Sequence, residues 1–242
     1  MVMERTRIST GIYGLDEKMQ GGLFKGSVNL ITGKTGTGKS AFCSSFLRHG
    51  ALIGESGLYV TTEQREEDIK GDLYAMFGWD MKPLEEKNTI KFMTIQPIFP
   101  SKEIQDMNKL VRIYIADITE RITRAIKEVE AKRVVIDSVS IIEMFIKDKY
   151  ISRVAIMQLV ERLKKLEVTA VLTGTIQETS EALSGGGIVE YLVDSVIKLD
   201  FVPVAEEYKR TLTIRKMRRT DHSTLIHPFE ITKAGIRVIE IK

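Results

Sequence analysis

The stretch that most constrains this chain is "GKTGTGKS", Gly33 to Ser40. It follows a short apolar run, "SVNLITG" (27–33), and precedes a stretch of helical composition, "SAFCSSFLRHGAL" (40–52). The pattern is Gly, four residues, then Gly-Lys-Ser, and each part has a mechanical reason. Gly33, Gly36 and Gly38 let the backbone curl so that its N–H groups point inward at phosphate oxygens. The helix that opens near Lys39 adds the positive end of its dipole. Lys39 is placed to bridge the terminal phosphates and the Ser40 hydroxyl to ligate Mg²⁺. Thr35, Thr37 and Ala41 complete the expected set of loop contacts. Four specified positions recur by chance in about one chain in a hundred of this length. Placement between a buried strand and a helix cuts that further.

A strand that runs into such a loop calls for an α/β sheet, and the rest of the chain supports one. "GLYVTTE" (57–63), "TIKFMTI" (89–95), "RVVID" (133–137), "TAVLTGT" (169–175) and "DSVIKLD" (194–200) read as strands. Helical stretches lie between them. "QREEDIKGDLYAMFG" (64–78) is amphipathic and closes on Gly78, and Ile151 to Leu166 is helical again. Val111, Ile115, Ile118, Ile122, Ala125 and Val129 recur at three and four and mark one helix face. "QPIFPSKEIQDMN" (96–108) reads as a loop or insertion. Buried strands followed by helices require parallel pairing with right-handed crossovers. From about Asp194 the chain is nearly all strand, with turns at Arg219–Asp221 and Lys233–Gly235. The expected fold is one α/β domain over residues 1–242, a mostly parallel twisted sheet extended by antiparallel strands at its C-terminal end.

Composition narrows the function classes. Hydrophobic residues make up 43% and charged residues 29%, enough apolar material for a core. The net charge of +3 implies neither a nucleic-acid nor a membrane partner by itself, so any such argument rests on local clustering. Cys43 is the one cysteine, which excludes an internal disulfide and fits a reducing compartment. The N-terminus has no secretory pattern, and no apolar run is long enough to span a bilayer, so a cytoplasmic location is expected. His49, His222 and His227 have no zinc spacing, and no Gly-x-Ser-x-Gly elbow is present.

A phosphate loop needs acids. Asp137 ends the buried strand "RVVID" and is placed to hold the Mg²⁺ shell; the competing reading is an Asp that caps the following turn. Glu63 ends the second strand, at the sheet edge where ligands sit, and is placed to activate water. Its competing reading is a first-turn acid on the next helix. No guanine-reading Asn-Lys-x-Asp occurs, which favours ATP over GTP.

The loop, Glu63 and Asp137 in this order resemble the RecA superfamily, and more narrowly the KaiC-like ATPases. "STGIYGLDEKMQGGLFKGSVNLITGKTGTGKS" (9–40) resembles that family's opening motif, and "KMRRTDH" (216–222) resembles its Lys-x-Arg-x-Thr-x-His segment. The resemblance implies a RecA-like P-loop fold, ATP or ADP with Mg²⁺, and a ring or filament with nucleotide at subunit interfaces. It implies that Glu63 is the catalytic base, the first of two family glutamates, with Gln64 in place of the second. The family's clock protein carries two such domains in tandem, whereas this chain has room for one. That protein's phosphorylated Ser-Thr pair falls near Glu190 and Tyr191 here, so self-phosphorylation is not expected.

The run "YKRTLTIRKMRRTDH" (208–222) holds six basic residues alternating with apolar ones. In strand geometry Lys216 and Arg218 share a face with Leu212 and Ile214, about 7 Å apart along the strand. They are expected to complete the triphosphate site of a neighbouring subunit, Arg218 as a finger on developing charge, with Thr220 and His222 adding contacts from the turn. The competing reading is a solvated edge strand that uses charge against aggregation. Two segments, 141–153 and 178–187, lie where RecA-type proteins place DNA-touching loops. The first has Lys147, Lys149, Arg153, Phe145 and Tyr150; the second has no Lys or Arg. DNA contact is therefore open but not favoured. Gln177 is a candidate γ-phosphate sensor. Two other functions stay open: a recombinase-like single-strand binder, and a nucleotide-controlled scaffold with negligible turnover.

Overall fold

The computed structural model describes residues 6–95, 107–140, 142, 146, 148–176 and 187–240, with backbone only for 107–111. Gln177, Phe145, Lys147 and nearly all of 178–187 lie outside these residues.

Eleven strands are present among the described residues: β1 (Arg7–Ile8), β2 (Leu23–Phe24), β3 (Val28–Gly33), β4 (Gly57–Thr61), β5 (Ile90–Thr94), β6 (Arg133–Asp137), β7 (Thr169–Thr175), β8 (Ser195–Val204), β9 (Glu207–Met217), β10 (His227–Thr232) and β11 (Gly235–Val238). The helices are α1 (Lys39–Leu52), α2 (Glu66–Phe77), α3 (Lys82–Glu86), α4 (Met107–Glu128), α5 (Lys149–Lys165) and α6 (Val189–Leu192). β1 and β2 form a small antiparallel ribbon. The other nine strands form one sheet in the order β11-β10-β9-β8-β3-β7-β6-β4-β5. From β8 to β5 every neighbour is parallel, and β9, β10 and β11 extend the sheet antiparallel. This is the expected architecture.

Burial on both faces explains the continuous apolar strands. Ile31, Tyr59 and Val135 face one core, with Phe42 and Phe46 of α1 and Leu73 and Phe77 of α2. Leu30, Leu58, Val134 and Ile136 face the other, with α4 and α5. Ile115, Ile118, Ile122, Ala125 and Val129 are buried there together, as the spacing in α4 requires. Gly78 closes α2 in the left-handed conformation, φ 69°.

The opening motif is a clamp. Asp16 accepts from the Ser9 and Thr10 hydroxyls, each at 2.6 Å, and from the Thr10 amide at 3.0 Å. Arg133, fully buried at the start of β6, donates to the Ser9 and Phe46 carbonyls at 2.8 and 2.9 Å and pairs with Glu55 at 2.6 Å. The Ser9–Asp16 segment is thereby fastened to α1 and to the strand that ends in Asp137.

β9 lies between β8 and β10, with β10 paired to it only at Thr211 and Leu212. One strand reading is corrected. A β-bulge breaks the alternation of β9: Val196 pairs with Lys216, but Ile197 pairs with Ile214, which leaves Arg215 as the extra residue. Beyond the bulge the faces exchange. Met217, not Lys216, joins Leu212 and Ile214 in the core.

Candidate functional site

The glycine loop sits at the C-terminal end of β3, between β7 and β8, where parallel sheets bind ligands. A side chain at Gly33 would place its Cβ 2.3 Å from the Leu199 carbonyl oxygen, so no other residue fits there. Gly38 caps α1 with φ 109°, in the region that favours glycine. Thr37 is buried and its hydroxyl donates to the Lys34 carbonyl at 2.8 Å, so its side chain braces the loop. Lys39 Nζ lies across the loop, donating to the Gly33 and Lys34 carbonyls at 2.9 and 2.8 Å. Burial pushes its pKa down, while the carboxylates of Asp137 and Glu63 pull it back up.

A cavity of about 350 Å³ opens beside the loop. Thr35, Gly36, Gly38, Lys39, Ser40 and Ala41 form one wall, and Glu63, Asp137 and Thr175 another. α2 contributes an apolar side through Ile69, Leu73, Met76 and Phe77. The loop thus faces a partly apolar wall across the cavity.

Asp137 stands at the centre of a hydroxyl cluster. Its Oδ2 accepts from Ser40 Oγ at 2.9 Å and from the Tyr59 hydroxyl at 2.6 Å; its Oδ1 accepts from Thr173 Oγ1 at 2.5 Å. Ser40 commits its proton to Asp137, which leaves its oxygen lone pairs available to a cation, so the donor set fits Mg²⁺. Among the described residues no group of three His, Cys, Asp or Glu forms a metal cage. A Mg²⁺ would therefore be held by Ser40, the Asp137 side and the nucleotide's own phosphates. Glu63 follows β4 on the same side, and its Oε1 accepts from Ser138 Oγ at 2.5 Å.

Lys216, Arg218, Thr220 and His222 lie elsewhere. Met217 pairs with Ser195, which is level with Asn29 at the start of β3. Arg218 continues beyond that, its amide donating to the Asp194 carbonyl at 3.0 Å. That level is five residues before Gly33, about 16 Å along the strand. Lys216 Nζ donates to the Glu190 and Val193 carbonyls at 2.8 and 2.7 Å. Burial, then the neighbouring Arg218 charge, lowers its pKa. Arg7 donates to Thr220 Oγ1 at 3.0 Å and ties the β1–β2 ribbon to this turn. The four residues are gathered at the opposite end of the sheet from their own phosphate loop.

Sequence reasoning missed Arg210. It pairs with Phe201, beyond Leu199, and lines the cavity beside the loop from β9. Its guanidinium stacks 5.2 Å from the Phe201 ring, and its Nε is buried without a hydrogen-bond partner. The basic run thus serves both ends of the sheet.

Comparison with known proteins shows the family. The family described as "ATPase: KaiC" matches residues 8–242. A UPF0273 protein of Pyrococcus horikoshii is 37% identical over 234 residues, covering 96% of this chain and 93% of its own. The circadian clock oscillator protein KaiC of Prochlorococcus marinus subsp. pastoris is 32% identical over 240 residues, which cover 99% of this chain but 46% of the clock protein. The crystal structure of a KaiC-like protein from Pyrococcus horikoshii OT3 superposes with a TM-score of 0.80 at 34% identity, covering 98% of this chain and 100% of that one. No described helix is long and apolar enough to cross a membrane. The chain belongs to the KaiC-like ATPase family, as an ATP-binding P-loop protein of RecA type.

Proposed function

We propose that this chain hydrolyses ATP in an assembly of its own copies, each nucleotide site being completed by the neighbouring subunit. The observation that carries the reading is the separation of the two basic sets. Lys39 and Arg210 lie at the cavity, whereas Lys216 and Arg218 sit at the far end of the sheet and cannot reach their own loop. A second copy placed head to tail, in a hexameric ring or a filament, brings one end to the other.

In this reading the loop amides and Lys39 hold the phosphates, and Ser40 and Asp137 hold the cation. A bound Mg²⁺ would supply positive charge against the phosphate oxygens. Glu63 takes the proton of the attacking water as the water oxygen bonds to the γ-phosphorus. The bond from that phosphorus to the β-phosphate oxygen breaks, and ADP leaves with its electron pair. Arg218 of the adjoining copy stabilises charge on the transferred group, with Lys216 beside it. Thr220 and His222 add contacts from the same turn.

The test is phosphate release by wild type and Glu63→Gln across protein concentration. The reading expects a rate per subunit that rises with concentration, and a fall of 100-fold or more in Glu63→Gln, on the order of a general base's contribution. Equal rates in the two proteins, or ATP held tightly without phosphate release, would overturn it, the latter in favour of a nucleotide-controlled scaffold.

A further inference from the structure

We propose that Tyr59 and Thr173 are positioning residues that clamp Asp137 from both sides and so set the affinity of the site for its divalent cation. The inference rests on the reading of Ser40 and Asp137 as the cation's holders. β6, which carries Asp137, lies between β4 and β7. Tyr59 of β4 donates to Oδ2 at 2.6 Å, and Thr173 of β7 donates to Oδ1 at 2.5 Å. Each carboxylate oxygen is held from a different neighbouring strand, so rotation about the Cβ–Cγ bond breaks both bonds at once. Ser40 then meets Oδ2 in a fixed direction.

The Tyr59 hydroxyl is committed to this task. The side chain is fully buried, its ring stacks on Phe92 at 5.4 Å, and a buried phenol must find a partner. Groups that orient a metal-holding carboxylate typically change metal affinity by about 10–100-fold when removed.

The experiment is a Mg²⁺ titration of binding of a fluorescent ATP analogue, with an EDTA baseline, to wild type, Tyr59→Phe, Thr173→Val and Thr173→Ser. Mn²⁺ binding to the nucleotide-loaded proteins, read by paramagnetic resonance, gives the same quantity without turnover. Tyr59→Phe and Thr173→Val should each raise the cation midpoint about tenfold, with metal-free nucleotide affinity unchanged. Thr173→Ser, which keeps the donor, should match wild type. Midpoints within twofold of wild type in Tyr59→Phe and Thr173→Val would overturn the clamp. If Tyr59→Phe fails to fold, the Val and Ser variants at 173 decide: equal midpoints overturn the clamp, a shift in Val alone supports it. A wild type whose binding ignores Mg²⁺ would instead remove the cation reading of the site itself.

Discussion

Ser138 donates its hydroxyl to Glu63 at 2.5 Å, joining the residue after Asp137 to the residue that follows β4 by two positions. The backbone beneath is cross-braced: the Ser138 amide donates to Thr62 Oγ1 at 3.0 Å, and that hydroxyl donates to the Ser138 carbonyl at 2.9 Å. The proposed base and the proposed cation holder therefore move as one piece.

That linkage gives the first prediction. Ser138→Ala leaves the Glu63 carboxylate without its orienting donor. Because a general base acts only when aimed at its proton, the turnover number should fall about tenfold, with KM for ATP unchanged. Ser138→Thr should retain most of the rate. A matching change in KM, or equal turnover in all three proteins, would assign Ser138 to the backbone brace alone.

Head-to-tail completion makes a second prediction. Lys39→Ala removes the loop cation from a protomer, and Arg218→Ala removes the group offered to its neighbour. Each protein alone should be nearly inactive. Mixed one to one with exchange of subunits, about a quarter of the sites pair an intact loop with an intact Arg218, so activity should recover to about a quarter of wild type. No recovery in freely exchanging subunits would place Arg218 outside the reaction.

Much of this site could be read before the fold because its parts are local. The phosphate loop needs glycines at fixed spacing, and a strand reaching its end in Asp137 announces itself by apolar continuity. What depended on pairing was not legible. A period of two assumes one residue per step, so the bulge at Arg215 inverted the faces assigned to Lys216 and Arg218. Arg210 reaches the cavity only because it lies opposite Phe201. Tyr59 drew no functional reading, because nothing in "GLYVTTE" shows which neighbour its hydroxyl meets. The short α3 and the β1–β2 ribbon were likewise unseen, two-residue strands being too short to carry a period.

The buried Arg133 supports a prediction about stability. Its guanidinium serves two carbonyls and Glu55, and its side chain is 0% exposed against 31% for Glu55. Arg133→Ala would take a donor from both carbonyls, strip Glu55 of its partner and open a cavity beneath Phe46. The cost should be about 3–5 kcal/mol, seen as a lower urea midpoint. Glu55→Gln, which keeps a polar partner at a half-open position, should cost about 1 kcal/mol. Equal losses in the two variants would contradict this division.

Two histidines set a pH dependence whose sign follows from their surroundings. Burial lowers the pKa of His49, with the Arg133 charge adding to the effect. Burial also lowers that of His227, helped by Lys18. In the unfolded chain both titrate near about 6.5. Between that value and the lower folded values the unfolded chain binds more protons, so stability rises with pH through this window. Their contribution is fully present above about pH 6.5 and is lost as pH falls toward the folded pKa. Urea midpoints at pH 5.5 and 7.5 should therefore differ more in wild type than in a His49→Gln, His227→Gln double variant, which has no imidazole to charge at either position. An identical pH difference in the two proteins would show that other groups carry the whole dependence.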